Sequence, residues 1–353
     1  MEKCLQTLER YRGMSRKGYN QSIQEASVTS DFSVASELRD FHAINAKIGL
    51  LTTIKSMTTP KWHKTALAFC MDWSLIFFSL WLVCQFSFYI FPLALLIVGS
   101  RQRAISNLVH EGSHWNLTKN KHINDRISDL FGALPLFKTT RFYRGNHLKH
   151  HAFLGKVNLD PDVDAHKGYG FNDFDFENNT LKRFLGVLFH PRSIKESVIG
   201  NLFKVGRSDR KLIFFWWGAL LASMYLVFDA KVVFSFLALW FLSKLTVYNL
   251  IRNIVEFLDH SGLQPGSIMT YTRTISGLGP IRFLTHAHSN NFHLTHHLAP
   301  SVPWFHLKRL HQLFSNAHLD YRSAHHCTGL IGDNHSAATC WQGDCRRPSK
   351  RES

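Results

Sequence analysis

Two apolar blocks, Ala66 to Ser100 and Leu212 to Ile251, limit what this 353-residue chain can fold into more than any other feature. A helix on the surface of a soluble core is apolar along one stripe, whereas about 20 consecutive apolar residues are what a helix needs to cross about 30 Å of hydrocarbon. Each block has room for two such helices. The first divides into spans at about 66–84 and 86–106, the second into spans at about 212–229 and 232–251, with AspAlaLys at 229–231 making the turn. The expected architecture is an all-α integral membrane protein with four transmembrane helices in two hairpins. ArgGlnArg at 101–103 is expected to snorkel at the interface while its helix runs on toward His110. The mean hydropathy of −0.11 hides the blocks because polar segments offset them.

Those polar segments set the domain plan: a cytosolic N-terminal arm at 1–60, a membrane domain at 61–315 and a polar tail at 316–353. Lys and Arg number 41 against 25 Asp and Glu, a net charge of +16 carried largely outside the blocks, where anionic lipid headgroups can meet it. No basic helix, finger or aromatic RNA-binding motif accompanies the charge, so nucleic acid is not the expected partner. Residues 101–211 hold 19 of the cations and the tight turns almost none, which favours a cytosolic placement of that segment and both termini. Four spans put 101–211 and the segment after Ile251 on one side whichever way the chain inserts. The six cysteines, Cys4, Cys70, Cys84, Cys327, Cys340 and Cys345, suggest no disulfide framework, and a reducing compartment fits best. No apolar core of the signal-peptide kind precedes the first block, so the first span is expected to act as its own insertion signal. Two short apolar runs, 127–137 and 184–189, are too short to cross and read as interfacial or re-entrant.

Chemistry concentrates in three histidine clusters: HisGluGlySerHis at 110–114, HisLeuLysHisHis at 147–151 and HisLeuThrHisHis at 293–297. Residues i, i+3 and i+4 share one helix face, so His147, His150 and His151 can converge, as can His293, His296 and His297; His110 and His114 add an i, i+4 pair. Eight imidazoles are too many for one ion and suit two, each with a position left for a small molecule. Imidazole accepts Fe, Zn, Cu or Ni alike, so spacing alone defines a dinuclear transition-metal site at the ends of membrane helices. A membrane zinc hydrolase of lipid amides also places histidines at span ends, but about three ligands and one water suffice for it, leaving five or six of these histidines without a role.

The boxes, their order and their positions after the second and fourth spans resemble the membrane fatty acid desaturase superfamily over roughly residues 60–315. Around the second box, ArgGlyAsnHisLeuLysHisHis followed by AsnLeuAspProAspValAsp at 158–164 is similar to the family pattern; around the third, so is AsnAsnPheHisLeuThrHisHisLeuAlaProSerValProTrp at 290–304. The resemblance implies two irons, dioxygen as co-substrate and two electrons per turnover. It also implies a ninth ligand near the end of the fourth span, where ArgAsnIleValGluPheLeuAspHisSerGlyLeu at 252–263 offers His260. Glu256, one turn earlier, and Asp259 beside it are then possible partners of the site, as are Glu111, Asp160 and Asp162, since carboxylates orient metal-bound imidazoles by accepting the other ring N–H. His286 and His288 stand at i, i+2 and lie outside the pattern.

The function implied is desaturation of a fatty acyl or lipid-like chain lying in an apolar tunnel between the spans, with the boxes as a cytosolic cap. Hydroxylation or ketolation on the same irons is the rival outcome. No haem domain or iron–sulfur cysteine pattern is present in the chain, so a ferredoxin or a b-type cytochrome is expected to supply electrons, and the positive cytosolic face would steer an acidic carrier.

Overall fold

The computed structural model describes residues 33–170, 180–330 and 335–337. Cys4, Cys340 and Cys345 therefore lie outside the described residues, as do positions 1–32 of the N-terminal arm and most of the last 20 positions of the tail.

Trp62–Phe86, Arg207–Val227 and Ala230–His260 are long and apolar enough to cross a membrane. In Trp62–Phe86 the buried residues Thr65, Ala68, Phe69, Asp72, Ile76, Ser79 and Leu80 recur at helical spacing and form one stripe. The opposite face exposes Leu67, Phe77, Phe78 and Trp81, and the second hairpin exposes Phe214, Phe215, Tyr225, Leu226 and Phe234. A belt of large apolar side chains this continuous is not tolerated against water and marks a lipid-facing surface. Asp229 makes the expected turn by capping the last long helix, accepting a hydrogen bond from Val232 N at 2.8 Å. That helix continues through a π-helical turn at Lys244–Tyr248 to His260. Its 31 residues reach about 46 Å, more than the about 30 Å of hydrocarbon a crossing helix needs to span.

The stretch expected as the second span differs from a lipid-facing helix. Phe91–Ser113 has the length, 23 residues, but from Val98 onward nearly every residue is enclosed by protein. Arg101 does not snorkel: it is wholly buried and paired with Asp72 at 3.0 Å. Phe91–Ser113 is the central helix, packed on Trp62–Phe86, on the π-turned helix and on Thr140–Ala152. Gly99 permits the closest of these contacts, since a Cβ there would stand 2.6 Å from Val247 Cβ and 2.9 Å from the backbone nitrogen of Tyr248.

At the end of the bundle where Trp62, Ser113, Arg207 and His260 gather, short helices make a cap: Thr140–Ala152, Pro161–Gly168, His293–Leu298 and Trp304–Ala317. A two-stranded parallel sheet, Arg273–Ile275 with His325–Cys327, ties the start of the tail to it. The described part of the N-terminal arm is built into the cap as helices Val34–Lys47 and Leu51–Met57. Phe41 packs edge-on against Phe314, and the Glu37 carboxylate accepts from Ile268 N at 2.7 Å. The run at 127–137 likewise folds against the central helix through a π-helical turn at Asp129–Ala133, burying Leu134, Leu136 and Phe137.

Candidate metal centre

All nine histidines singled out from the sequence meet, and they meet as two groups. His110, His114, His147, His151 and His296 form one; His150, His260, His293 and His297 form the other; within each, the ligand nitrogens lie within 4.8 Å of one another. The groups adjoin through the stacked rings of His151 and His297, whose centroids are 4.2 Å apart.

Each box is held by identifiable local chemistry. The first-box helix ends at Ser113 and His114 follows as its C-cap residue. The Arg144 guanidinium donates to Ser113 O and Gly112 O, both at 2.9 Å, and pairs with Asp125 at 2.5 Å, which places a cation on the carbonyls of that helix end and ties the first box to the helix of the second. Thr139 opens the second-box helix by accepting from Phe142 N at 3.3 Å. The third box follows a loop pinned to the bundle. Asn107 Nδ2 donates to Ala287 O at 2.9 Å, His288 Nε2 meets Asp72 at 2.8 Å, and Arg101 donates to Phe283 O and stacks on the Phe283 ring. His288 and Ser289 hold φ of 57° and 58°, a region non-glycine residues rarely adopt, and these contacts fix them there.

The cluster fits metal ions better than it fits a hydrogen-bonded histidine core. His260 Nδ1 donates to Tyr271 O at 2.8 Å and His150 Nδ1 to Asp160 at 3.0 Å, so both turn Nε2 inward. Inside, Nε2 atoms face Nε2 atoms: His147 to His114 at 2.8 Å, His151 to His147 at 3.0 Å, His293 to His260 at 2.9 Å and His297 to His293 at 3.1 Å. A neutral imidazole carries one proton, so His260, already donating outward, offers a lone pair to its contact, and an Nε2 that meets two others, as at His147 and His293, cannot donate to one and accept from the other; such convergence suits metal ions held between the rings. His110 Nε2 is buried and has no hydrogen-bond partner among the described residues.

Among the five carboxylates considered from the sequence, Asp160 has the strongest link. It receives His150 Nδ1 together with Gly155 N at 2.8 Å and Asp162 N at 3.0 Å, while Asp162 stands 3.4 Å from the same imidazole. Asp259 is 3.9 Å from His293 Nδ1, too far for a hydrogen bond. Glu111 spends its carboxylate on Trp304 N at 2.9 Å and Asn116 Nδ2 at 3.3 Å, and it stands 3.7 Å from His110. Glu256 pairs with Arg252 at 3.1 Å rather than with an imidazole. Changing Asp160→Asn should lower metal affinity or turnover by about 10- to 100-fold while the protein still folds, because an amide presents its NH2 or a weaker acceptor to His150. Iron titration of the purified variant checks this.

Burial keeps most of the cluster uncharged, the form in which an imidazole can ligate a metal. Burial, then the nearby Arg144 and His150 charges, pushes His114 down to about 3. Burial, then neighbouring imidazoles, holds His147, His151, His293, His296 and His297 well below the usual 6.5. At His150 burial acts the same way, but Asp160 and Asp162 outweigh it and raise the ring to about 9. Below about pH 6.5 the unfolded chain therefore binds protons that these six folded imidazoles refuse, so acid destabilises the metal-free fold. His150 works oppositely, with a contribution present below 6.5 and lost above about 9, and is outnumbered. In chelator, the thermal midpoint should fall between about pH 7.5 and about pH 5; an unchanged midpoint would contradict the buried, neutral cluster.

Sequence reasoning missed the Asp72–Arg101–His288 chain that seats the third box. An acid inside the first apolar block was the available signal, because a charge there needs a partner. It also missed the cavity beside the histidines. This cavity, of about 960 Å3, reaches His110, His147, His150, His260 and His293. Its lining mixes apolar side chains such as Leu136, Phe142, Ile199 and Phe203 with 12 charged ones, among them Arg103, Lys138, Arg252 and Glu256.

The sequence matches the fatty acid desaturase family over residues 85–329, and the chain belongs to that family. Within it, the chain is similar to the dihydrorhizobitoxine desaturase of Bradyrhizobium elkanii, with 29% identity over 245 residues that cover 64% of this chain and 68% of the relative. With three helices able to cross a bilayer, membership marks a membrane protein.

Proposed function

We propose that the protein is a di-iron desaturase that uses dioxygen to introduce a double bond into a hydrocarbon chain of a lipid-like molecule. The division of nine imidazoles into groups of five and four carries this reading; iron is chosen among the metals imidazole accepts because of the family. Bound there, two irons would supply activation of dioxygen with two external electrons, so that –CH2–CH2– plus O2, two electrons and two protons become –CH=CH– plus two waters.

The protein's own residues do the rest. Asp160 and Tyr271 O orient His150 and His260. The pinned 283–288 loop sets the third box, and the cavity brings the chain to be oxidised against the histidines. Similarity to a desaturase favours a double bond over an alcohol as product.

In this reading Phe91–Ser113 is the second member of the first hairpin, a crossing helix sheathed by its neighbours, and four crossings keep the cap and both termini in the cytosol. Placement of Thr65 Oγ1 2.9 Å from Leu117 O supports the antiparallel hairpin. A ferredoxin or b-type cytochrome then delivers electrons to the cytosolic face. Expression with such a donor, followed by mass spectrometry of lipids and small metabolites, tests the proposal: products two mass units lighter than substrate are expected, products sixteen units heavier would make it a hydroxylase, and no reductant-dependent product would refute both.

A further inference from the structure

Around the cavity, charge is segregated by depth. Lys149, Arg192, Lys195 and Lys204 are exposed at the rim, whereas Lys138 is buried beside the histidines and Arg103 is half-buried with its Nε fully enclosed and unpartnered. Lys138 Nζ reaches Ser106 Oγ at 3.1 Å and sits over the Tyr143 ring at 4.4 Å. A third buried cation, Lys244, lies behind them over the rings of Phe137 and Tyr248.

The acids nearby do not neutralise this floor. Glu256 is engaged by Arg252 at 3.1 Å; Asp259, the acid most affected by Arg103, and Glu256 act on these cations only at a distance, and neither Arg103 nor Lys138 makes an ion pair among the described residues. A buried ammonium without a counter-charge is costly. Burial first, and Arg103 second, pushes Lys138 down to about 7 against the smaller opposing pull of Glu256.

We propose that Arg103 and Lys138 hold the free carboxylate of the substrate, so that the molecule desaturated is a compact acid rather than a thioester or a glycerolipid. Thioesters and glycerolipids carry no free carboxylate to place at the cavity floor, and their anionic groups are suited to the rim. Arg103 precedes His110 by seven residues, two helical turns on one face, or about 10 Å along the axis. A carboxylate held there leaves roughly eight bonds of extended chain, at about 1.2 Å each, before the histidines. The new double bond would therefore lie within about eight bonds of the acid. This rests on the desaturase reading only for what happens to the chain; binding of the acid does not depend on it.

Binding of octanoate and of its methyl ester to the full-length, metal-loaded protein in detergent, followed by calorimetry, tests the proposal. The wild type should prefer the acid by at least roughly tenfold, as expected for a desolvated charge-assisted pair. Arg103→Gln and Lys138→Met should each lose that preference, Lys138→Arg should keep most of it, and Lys204→Gln at the rim should leave it intact. Equal affinity for acid and ester, or a preference that survives Arg103→Gln, would overturn the proposal. Metal content and thermal midpoint of each variant identify misfolding, in which case Lys138→Arg against Lys138→Met decides. Iron content and reductant-dependent oxygen consumption of the wild type are read separately, so their failure would sink the desaturase reading and leave the binding result standing.

Discussion

Replacing His297 with alanine is expected to abolish turnover and to bring the metal content from two ions per chain toward one. His297 belongs to the group of four, with His150, His260 and His293, so its loss leaves three imidazoles. Its ring also stacks on His151 at the seam between the groups. The activity loss should exceed the roughly 100-fold that removal of an outer partner costs, because a ligand itself is lost. Changing His147→Ala removes one imidazole from the group of five and leaves four. That variant should retain more metal than His297→Ala. Metal analysis beside a product assay separates the two, and equal metal retention would argue against the division into five and four.

A comparably large effect on stability is expected at a site that touches no metal ligand directly. Asp72→Ala should destabilise the protein by about 3–5 kcal/mol, because Arg101 would be left buried without its counter-charge. Both side chains are 0% exposed, and the same carboxylate holds His288 at 2.8 Å. Losing it should also loosen the loop that positions the third box, so metal affinity should fall with stability. The double change Asp72→Leu with Arg101→Met removes both charges and should be less harmful to folding than either single loss. Thermal unfolding of the four proteins in one detergent measures this; additive losses would show that the pair is not coupled.

How far the sequence foretold these features depended on the range of the interaction. The i, i+3, i+4 spacing of His147, His150 and His151 places them on one helix face from local geometry alone. Their division between the two groups could not be read that way. His150 and His151 are neighbours in the chain but point about 100° apart around the helix, and they fall in different groups, as do His296 and His297. Which group each joins depends on where His114 and His260 arrive from other helices. The apolar blocks were legible as membrane helices because hydropathy is a sum over local residues. Arg101 was misjudged for the complementary reason: a charge beside an apolar run snorkels only if no partner is in reach, and Asp72 lies on another helix. The charged part of the cavity lining was hidden likewise, since Arg103, Lys138 and Arg252 come from three separate segments. Glu256, one turn before His260, looked placed to serve that ligand, but Arg252 at i−4 claims it first.

The most direct test of the two-metal account is the quantity and kind of metal in the folded protein. Expressed with iron, purified in detergent and freed of loosely bound ions, the chain should carry two irons, with Mössbauer spectra showing two inequivalent sites of nitrogen-rich coordination, one from the group of five and one from the group of four. A single ion per chain, or one zinc under the same conditions, would contradict the account.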